Sequence, residues 1–176
     1  MKIKFELSKG INVFGLDRYN TSIKVKDLLE IYEVPYYKVW SGSISQGYQR
    51  GKDASKIDDI RDKSLNSPND LVSFMTDIVL NIRVPNATTY IKKVNNFKNF
   101  YTLDYIDEFG PGYVVDGQHR IEGLYTAYTT AIKTNPASAK ILEDQYINVL
   151  ITFTDDIYLE AYSFYLINNH SKKVST

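Results

Sequence analysis

Asp116, Gly117, Gln118, His119 and Arg120 form one unbroken run that sets a carboxylate, a glycine, an amide, an imidazole and a guanidinium side by side. A guanidinium offers five donors in a fork suited to phosphate, and an imidazole donates from one or both nitrogens and moves protons near neutral pH. Tyr113, Val114 and Val115 precede the run and favour a short buried strand, opened by the turn residues Gly110, Pro111 and Gly112. Beyond the run the apolar positions change to helical spacing at Ile121, Leu124, Tyr125, Tyr128 and Ile132. Asp116 therefore falls where an N-cap belongs, with Gly117, Gln118 and His119 in the first helical turn. A strand that empties into a helix N-terminus leaves backbone N–H groups unpaired and adds roughly half a positive charge there. Such a turn suits an anion. Gly117, Gln118, His119 and Arg120 are its candidate phosphate ligands, and Asp116, Gln118 and His119 are the candidate catalytic residues. A capped turn with an arginine also occurs as plain structure, and from the residues alone both readings stay open.

A second polar stretch lies upstream at Tyr48, Gln49 and Arg50, just before a helix that Asp53 or Ser55 could cap and that should run to about Leu65. Gln49 and Arg50 are placed to reach the same pocket, as phosphate or base-edge ligands. The competing reading is a surface arginine paired with Asp53.

Asp-Gly-Gln-His-Arg after a Val-Val strand resembles the signature of the DGQHR-domain family, which includes the DNA sulfur modification protein DndB and is similar to the wider ParB/sulfiredoxin-like superfamily. Tyr48-Gln49-Arg50 before a helix resembles a second landmark of that family. Phe164 to Asn168, with an Ile-Asn pair and a short basic tail, resembles a third. The resemblance covers residues 48–174. It implies a site that receives nucleotide phosphates or DNA, in proteins of bacterial DNA modification, restriction and partition systems. Family members commonly continue into further helical sequence, so a truncated or minimal member is expected. The absence of cysteine departs from the sulfiredoxin pattern and excludes that chemistry, Gln118 standing in the motif instead.

Composition narrows the remainder. The 176 residues suit one domain with a substantial core, and a hydrophobic fraction of 43% with 15 tyrosines argues for a folded globule. Formal net charge is zero, so any DNA contact must come from local patches. Without cysteine there are no disulfides, thiolate metal sites or cysteine nucleophile. Two histidines, His119 and His170, argue against a histidine-rich metal site, whereas magnesium carried by a nucleotide needs only one or two carboxylates. No apolar run approaches a membrane span, and the amino-terminal pattern is not that of a signal peptide. A cytoplasmic protein with no membrane partner is expected.

The elements that must hold these residues read as follows. Ile3, Phe5 and Leu7 alternate as a strand, Ser8 to Gly10 turn, and Ile11 to Leu16 pair back. A short helix over Asp27 to Tyr32 ends before Pro35, Tyr36 to Trp40 is extended, and Ser41 to Gly47 is a loop. Leu71, Val72 and Phe74 lie on a short helix, and Thr76 to Val84 forms a strand. Residues Thr88 to Val94 and Phe97 to Ile106 make a hairpin leading into the central strand. The aromatic run Phe97, Phe100, Tyr101 and Tyr105 is read as strand packing in preference to a base-stacking platform. The central helix persists to about Lys133, and Gly123 inside it marks the close approach of another backbone. A short helix over Ala137 to Leu142, a strand over Tyr146 to Phe153 and a helix to about Ile167 follow, with Asn168 and Asn169 favoured as caps over ligands.

These elements predict a single domain of the α/β (α+β) class, a small mixed sheet flanked by helices, over residues 1–176. The function expected is a nucleotide- or phosphate-binding module of DGQHR type, open to NTPase activity, with magnesium carried by the nucleotide. Asp116 would cap the turn or hold that magnesium, and Gln118, Gln49 or His119 would orient a water. The alternative is a non-enzymatic, DNA-binding transcriptional regulator of the DndB type, gripping a DNA phosphate with help from Lys172 and Lys173. In both, other proteins of a DNA modification system are the expected partners. A third reading is structural, with Asp116, His119 and Arg120 locked to one another.

Overall fold

The computed structural model describes the chain except residues 1, 14, 36–38, 41–42, 45–50, 86–88, 96 and 171–176. Ten strands and five helices are assigned among the described residues. Eight strands make one mixed sheet, and two short ones, β4 (Val39–Trp40) and β5 (Ser43–Ile44), pair separately. The sheet order is β3 (Tyr32–Glu33), β9 (Gly112–Asp116), β6 (Ile78–Ile82), β10 (Tyr146–Phe153), β2 (Leu16–Lys24), β1 (Lys2–Val13), β8 (Phe100–Ile106) and β7 (Ile91–Lys93). The sheet is mixed because β6 runs parallel to β10 and β3 parallel to β9, while the other neighbours are antiparallel. The domain is thus of the expected class, with a sheet larger than expected.

Alternation explains the two faces. Ile78, Leu80 and Ile82 of β6 lie opposite Val149, Ile151 and Phe153 of β10, so they share a face. That face joins the core formed with Ile121, Leu124, Ala127 and Ala131 of α3 (Gln118–Thr134). On the other face Asn81 lies opposite Thr152 and Tyr113. There Asn81, fully buried, donates to Glu160 Oε2 of α5 (Ile157–His170) at 2.6 Å and to the Thr154 carbonyl at 2.9 Å. Arg83 closes the network. Its Nε and Nη2 donate to the two Glu160 carboxylate oxygens at 2.9 and 2.8 Å, and its guanidinium lies 3.5 Å from the centre of the Tyr113 ring. A buried carboxylate is tolerated only when paired and hydrogen-bonded, as here. α5 is thereby fixed to the sheet beside β9.

Several boundaries differ from the sequence reading for local reasons. β1 runs through Gly10 with an irregularity between Lys9 and Asn12, and the chain turns at Gly15, whose φ is +82° and whose N–H donates to Asn12 Oδ1. The asparagine side chain supplies the turn's acceptor, so the strand need not stop at Gly10. Leu71–Ser73 forms a 3-10 turn and not an α-helix. β7 and β8 form the expected hairpin, but it lies at the far edge of the sheet from β9. Half of the aromatic run packs as strand residues do: Tyr101 lies edge-on to Tyr19, and buried Tyr105 packs on Phe5 and Phe109. Phe97 and Phe100 are exposed and pack on each other.

Three helices form close to where their residues predict. α1 (Val25–Ile31) buries Val25, Leu28 and Ile31 and gives way to extended backbone at Tyr32, ahead of Pro35. Asn135 ends α3 and its Oδ1 accepts from Ser138 N–H, so the same residue starts α4 (Pro136–Asp144) with Pro136 in its first turn. Asp53 caps α2 (Ala54–Asn66), its carboxylate accepting from Lys56 N–H at 3.4 Å.

The packing of α2 on α3 positions the site. A Cβ on Gly123 of α3 would stand 2.6 Å from Ile60 Cβ and 2.8 Å from the Ile57 carbonyl oxygen. The Gly123 backbone therefore lies against the Ile60 side chain and also against the backbone carbonyl of Ile57, the latter being the close backbone approach that the interior glycine implied. Gly123→Ala should lower stability by about 1–2 kcal/mol net in urea denaturation, because overpacking outweighs the helix propensity gained. Glu160→Leu should cost about 3 kcal/mol by the same measurement, since it removes one partner of a buried ion pair.

Candidate functional site

β9 ends at Asp116, and Gly117 makes the turn with φ +92°, the left-handed region that glycine enters without strain. A Cβ there would meet Arg120 Nη2 at 3.0 Å and Ile78 Cγ1 at 3.2 Å, so a side chain would also be tightly placed. α3 starts with no side-chain cap, and its first intrahelical bond runs from Ile121 N–H to the Gly117 carbonyl at 3.0 Å. The N–H groups of residues 118–120 consequently have no intrahelical partner. The expected N-cap role of Asp116 is corrected: Gly117 holds the cap position, and Asp116 accepts a 3.0 Å bond from Arg120 Nη2.

Arg120 is largely spent on the fold. The same Nη2 donates to the Asp77 carbonyl at 3.0 Å, bracing the turn against the start of β6, while its buried Nε has no hydrogen-bond partner among the described residues. Gln118 is 9% exposed and its Oε1 is buried without a hydrogen-bond partner among the described residues. His119 does not join Asp116 and Arg120. Its Nε2 accepts from Asp53 N–H at 3.2 Å, tying the N-terminus of α3 to that of α2. An accepting Nε2 leaves the ring proton on Nδ1. Burial is the main cause holding the His119 pKa below its ordinary 6.5, followed by Lys56, with Arg120 adding to the effect.

The N-terminus of α2 completes the wall. Asp53 Oδ1 accepts from the Ser55 hydroxyl at 2.7 Å, and this bond is the leading cause that lowers its carboxyl pKa. Lys56 Nζ lies 3.5 Å from Asp53 Oδ2, and Lys52 pairs with Glu122 of α3 at 3.0 Å. From the opposite side α5 contributes Phe164 and Asn168. The helix runs on to His170, so Asn168 lies within it as a donor to the Phe164 carbonyl at 2.9 Å, and is not its cap.

Together these groups line a cavity of about 350 Å³ formed by Gly51, Asp53, Lys56, the run Asp116 to Arg120, Phe164 and Asn168. Its size and mixed polarity suit a small ligand. Two helix N-termini meet there. Of the residues singled out from sequence, Asp116, Gly117, Gln118, His119 and Arg120 come together in it. Gln49 and Arg50 lie outside the described residues, as do Lys172 and Lys173. Lys56 was not anticipated, although its place three residues after the cap Asp53 is a signal that the first turn of α2 faces the site. Among the described residues no group of three or more histidine, aspartate or glutamate side chains is arranged to hold a metal, and no helix is long and apolar enough to cross a membrane.

No protein-family model, curated protein or solved structure matches the chain.

The depressed His119 pKa sets a pH dependence. The folded chain binds fewer protons than the unfolded chain as pH falls through 6.5, so this residue's contribution to stability is present above that pH and is lost as pH falls through the lower, folded value. In His119→Gln, whose amide oxygen can still accept from Asp53 N–H, thermal unfolding should show a shallower loss of stability below pH 6.5 than in the parent.

Proposed function

We propose that this chain is a nucleotide-binding module of the DGQHR type, with kinship to the ParB/sulfiredoxin-like superfamily, that serves a bacterial DNA modification, restriction or related defence system. The observation that carries the reading is the N-terminus of α3, which has no side-chain cap and opens beside that of α2 into a cavity of about 350 Å³. Backbone N–H groups of residues 118–120 hold the phosphate, Lys56 and the helix dipoles of α2 and α3 supply positive potential, and His119 donates from Nδ1. Asp116 and Asp53 stand where a magnesium ion carried by the nucleotide would find carboxylates.

Binding is the reading we carry ahead of hydrolysis. A general base needs a free lone pair, and the Nε2 lone pair of His119 is engaged by Asp53 N–H. Gln118 and His119 can still orient a water by hydrogen bonding. The DNA-binding alternative has less support: among the described residues the charged side chains lining the cavity are Lys56, Arg120, Asp53 and Asp116, two of each sign, and these supply no basic track for a duplex.

Calorimetric titration of ATP, GTP and CTP with magnesium tests this. At least one should bind the parent chain, and His119→Ala and Lys56→Ala should each lose tenfold or more, about 1.4 kcal/mol. Duplex DNA binding with no nucleotide binding would replace the reading with the regulator, and binding of neither would make the turn structural.

A further inference from the structure

We propose that the hairpin of β7 and β8 docks single-stranded nucleic acid, with Phe97 and Phe100 stacking on bases while Lys4, Lys92 and Lys98 meet phosphates. The hairpin lies at the opposite edge of the sheet from β9. This surface is therefore separate from the cavity and does not rest on the reading of the cavity as a phosphate site.

Phe97 and Phe100 are 57% and 50% exposed. The fold gains little from two phenyl rings left this far in water. Their ring centres are 5.8 Å apart, edge to face. With Glu6, Val94, Tyr101 and Thr102 they line a groove of about 250 Å³, which has room for a base. The backbone fixes both rings in place. Val94 N–H donates to the Phe100 carbonyl at 2.9 Å, Phe97 N–H to the Val94 carbonyl at 3.3 Å, and Lys9 N–H to the Asn99 carbonyl at 2.8 Å. The turn that carries the rings is thus tied to itself and to β1, so little backbone ordering is left to be done on binding.

The surrounding charge suits a phosphate backbone. Alternation sets Phe100, Thr102 and Asp104 of β8 on the face opposite buried Leu103 and Tyr105. The register adds Lys4 and Glu6 of β1 and Lys92 of β7 to that face, and Lys98 lies between the two rings in the turn. Three lysines meet two carboxylates, so a chain of zero net charge keeps a local positive excess here. Lys92 lies 3.8 Å from Asp104, while Lys4 and Lys98 make no ion pair among the described residues.

Lysine on an edge strand also guards it against pairing with another chain. That role covers Lys92, but not Lys98 in the turn or Lys4 on a strand paired at both edges, and it has no use for exposed rings. Rings flanked by cations match a strand whose bases are unstacked and joined by phosphates. A duplex hides the faces of its bases, and a second copy of this chain would bring like charges together.

Fluorescence anisotropy of short labelled oligothymidylate, oligouridylate and a duplex of equal length tests this on the whole chain. A single strand should bind at least tenfold more tightly than the duplex. Raising salt from about 50 to about 200 mM should weaken that binding roughly twentyfold, the counterion release expected from three neutralised phosphates. The double variant Phe97→Ala, Phe100→Ala should lose tenfold or more with the salt dependence kept, and Phe97→Tyr, Phe100→Tyr, which retains the rings, should bind as the parent does. Lys98→Ala should make the salt dependence shallower. A preference between the two single strands would support the proposal and identify DNA or RNA as the occupant. No binding of either strand, or equal affinity for single strand and duplex, would overturn it, and neither comparison needs a variant. Undiminished binding by the alanine pair would overturn it too, as would a dimer in sedimentation that the alanine pair dissolves, which would make the groove a contact between copies.

Discussion

Gly123 lets α2 lie so close to α3 that a single methyl group would reach the Ile57 carbonyl oxygen at 2.8 Å, and the cavity exists because of that contact. Two helices packed this closely, with Asp53 at the start of one and Gly117 at the start of the other, bring two N-termini to a common point. Helix N-termini repel each other through their dipoles, so the juxtaposition costs energy unless something negative or accepting lies between them. Two of the chain's own groups supply part of that need. The His119 ring takes the Asp53 N–H, and the Asp116 carboxylate takes Arg120.

The opposite wall depends on a different interaction. α5 reaches the cavity through Phe164 and Asn168, and its position is set one turn earlier by Glu160, locked to Asn81 and Arg83 on the far side of the sheet from α3. β6 therefore serves both walls. Ile78, at its start, packs beside the Gly117 turn, the carbonyl of the preceding Asp77 receives Arg120, and Asn81 anchors α5. A displacement of this one strand would move the turn and the helix facing it together.

What could be read from the sequence divides along the range of the interactions involved. β10 was legible residue for residue because alternation is a local pattern, and the cap of α2 was legible to within Asp53 or Ser55 because capping is settled within four residues. Gly123 was legible as a close approach because glycine weakens a helix interior unless its missing side chain admits a neighbouring element. Asp116 was misplaced by a single position, since an aspartate before a helix reads as a cap until Arg120, one turn on, is seen to claim its carboxylate. The Glu160 network was not legible at all. Glu160 lies more than seventy residues along the chain from both Asn81 and Arg83, and the only local trace is that it is the one acidic residue of α5. The sheet order was hidden for the same reason, because the pairing of β1 with β8 joins segments roughly a hundred residues apart with no local signal.

The motif run is unequal in its chemistry once folded, and this inequality bears on how the site should be understood. Read as a string, Arg120 is the obvious phosphate ligand and Gln118 a neutral companion. In the fold Arg120 braces the turn through Asp116 and Asp77, and its charge is matched before any ligand arrives. His119 is committed at one nitrogen and available at the other. Gln118 keeps a buried acceptor that nothing in the described chain satisfies. Folding thus consumes the strongest group of the run and leaves the weaker, more directional ones. Among the described residues the charged side chains lining the cavity are two of each sign, so a ligand there would be selected by the direction of hydrogen bonds more than by net charge.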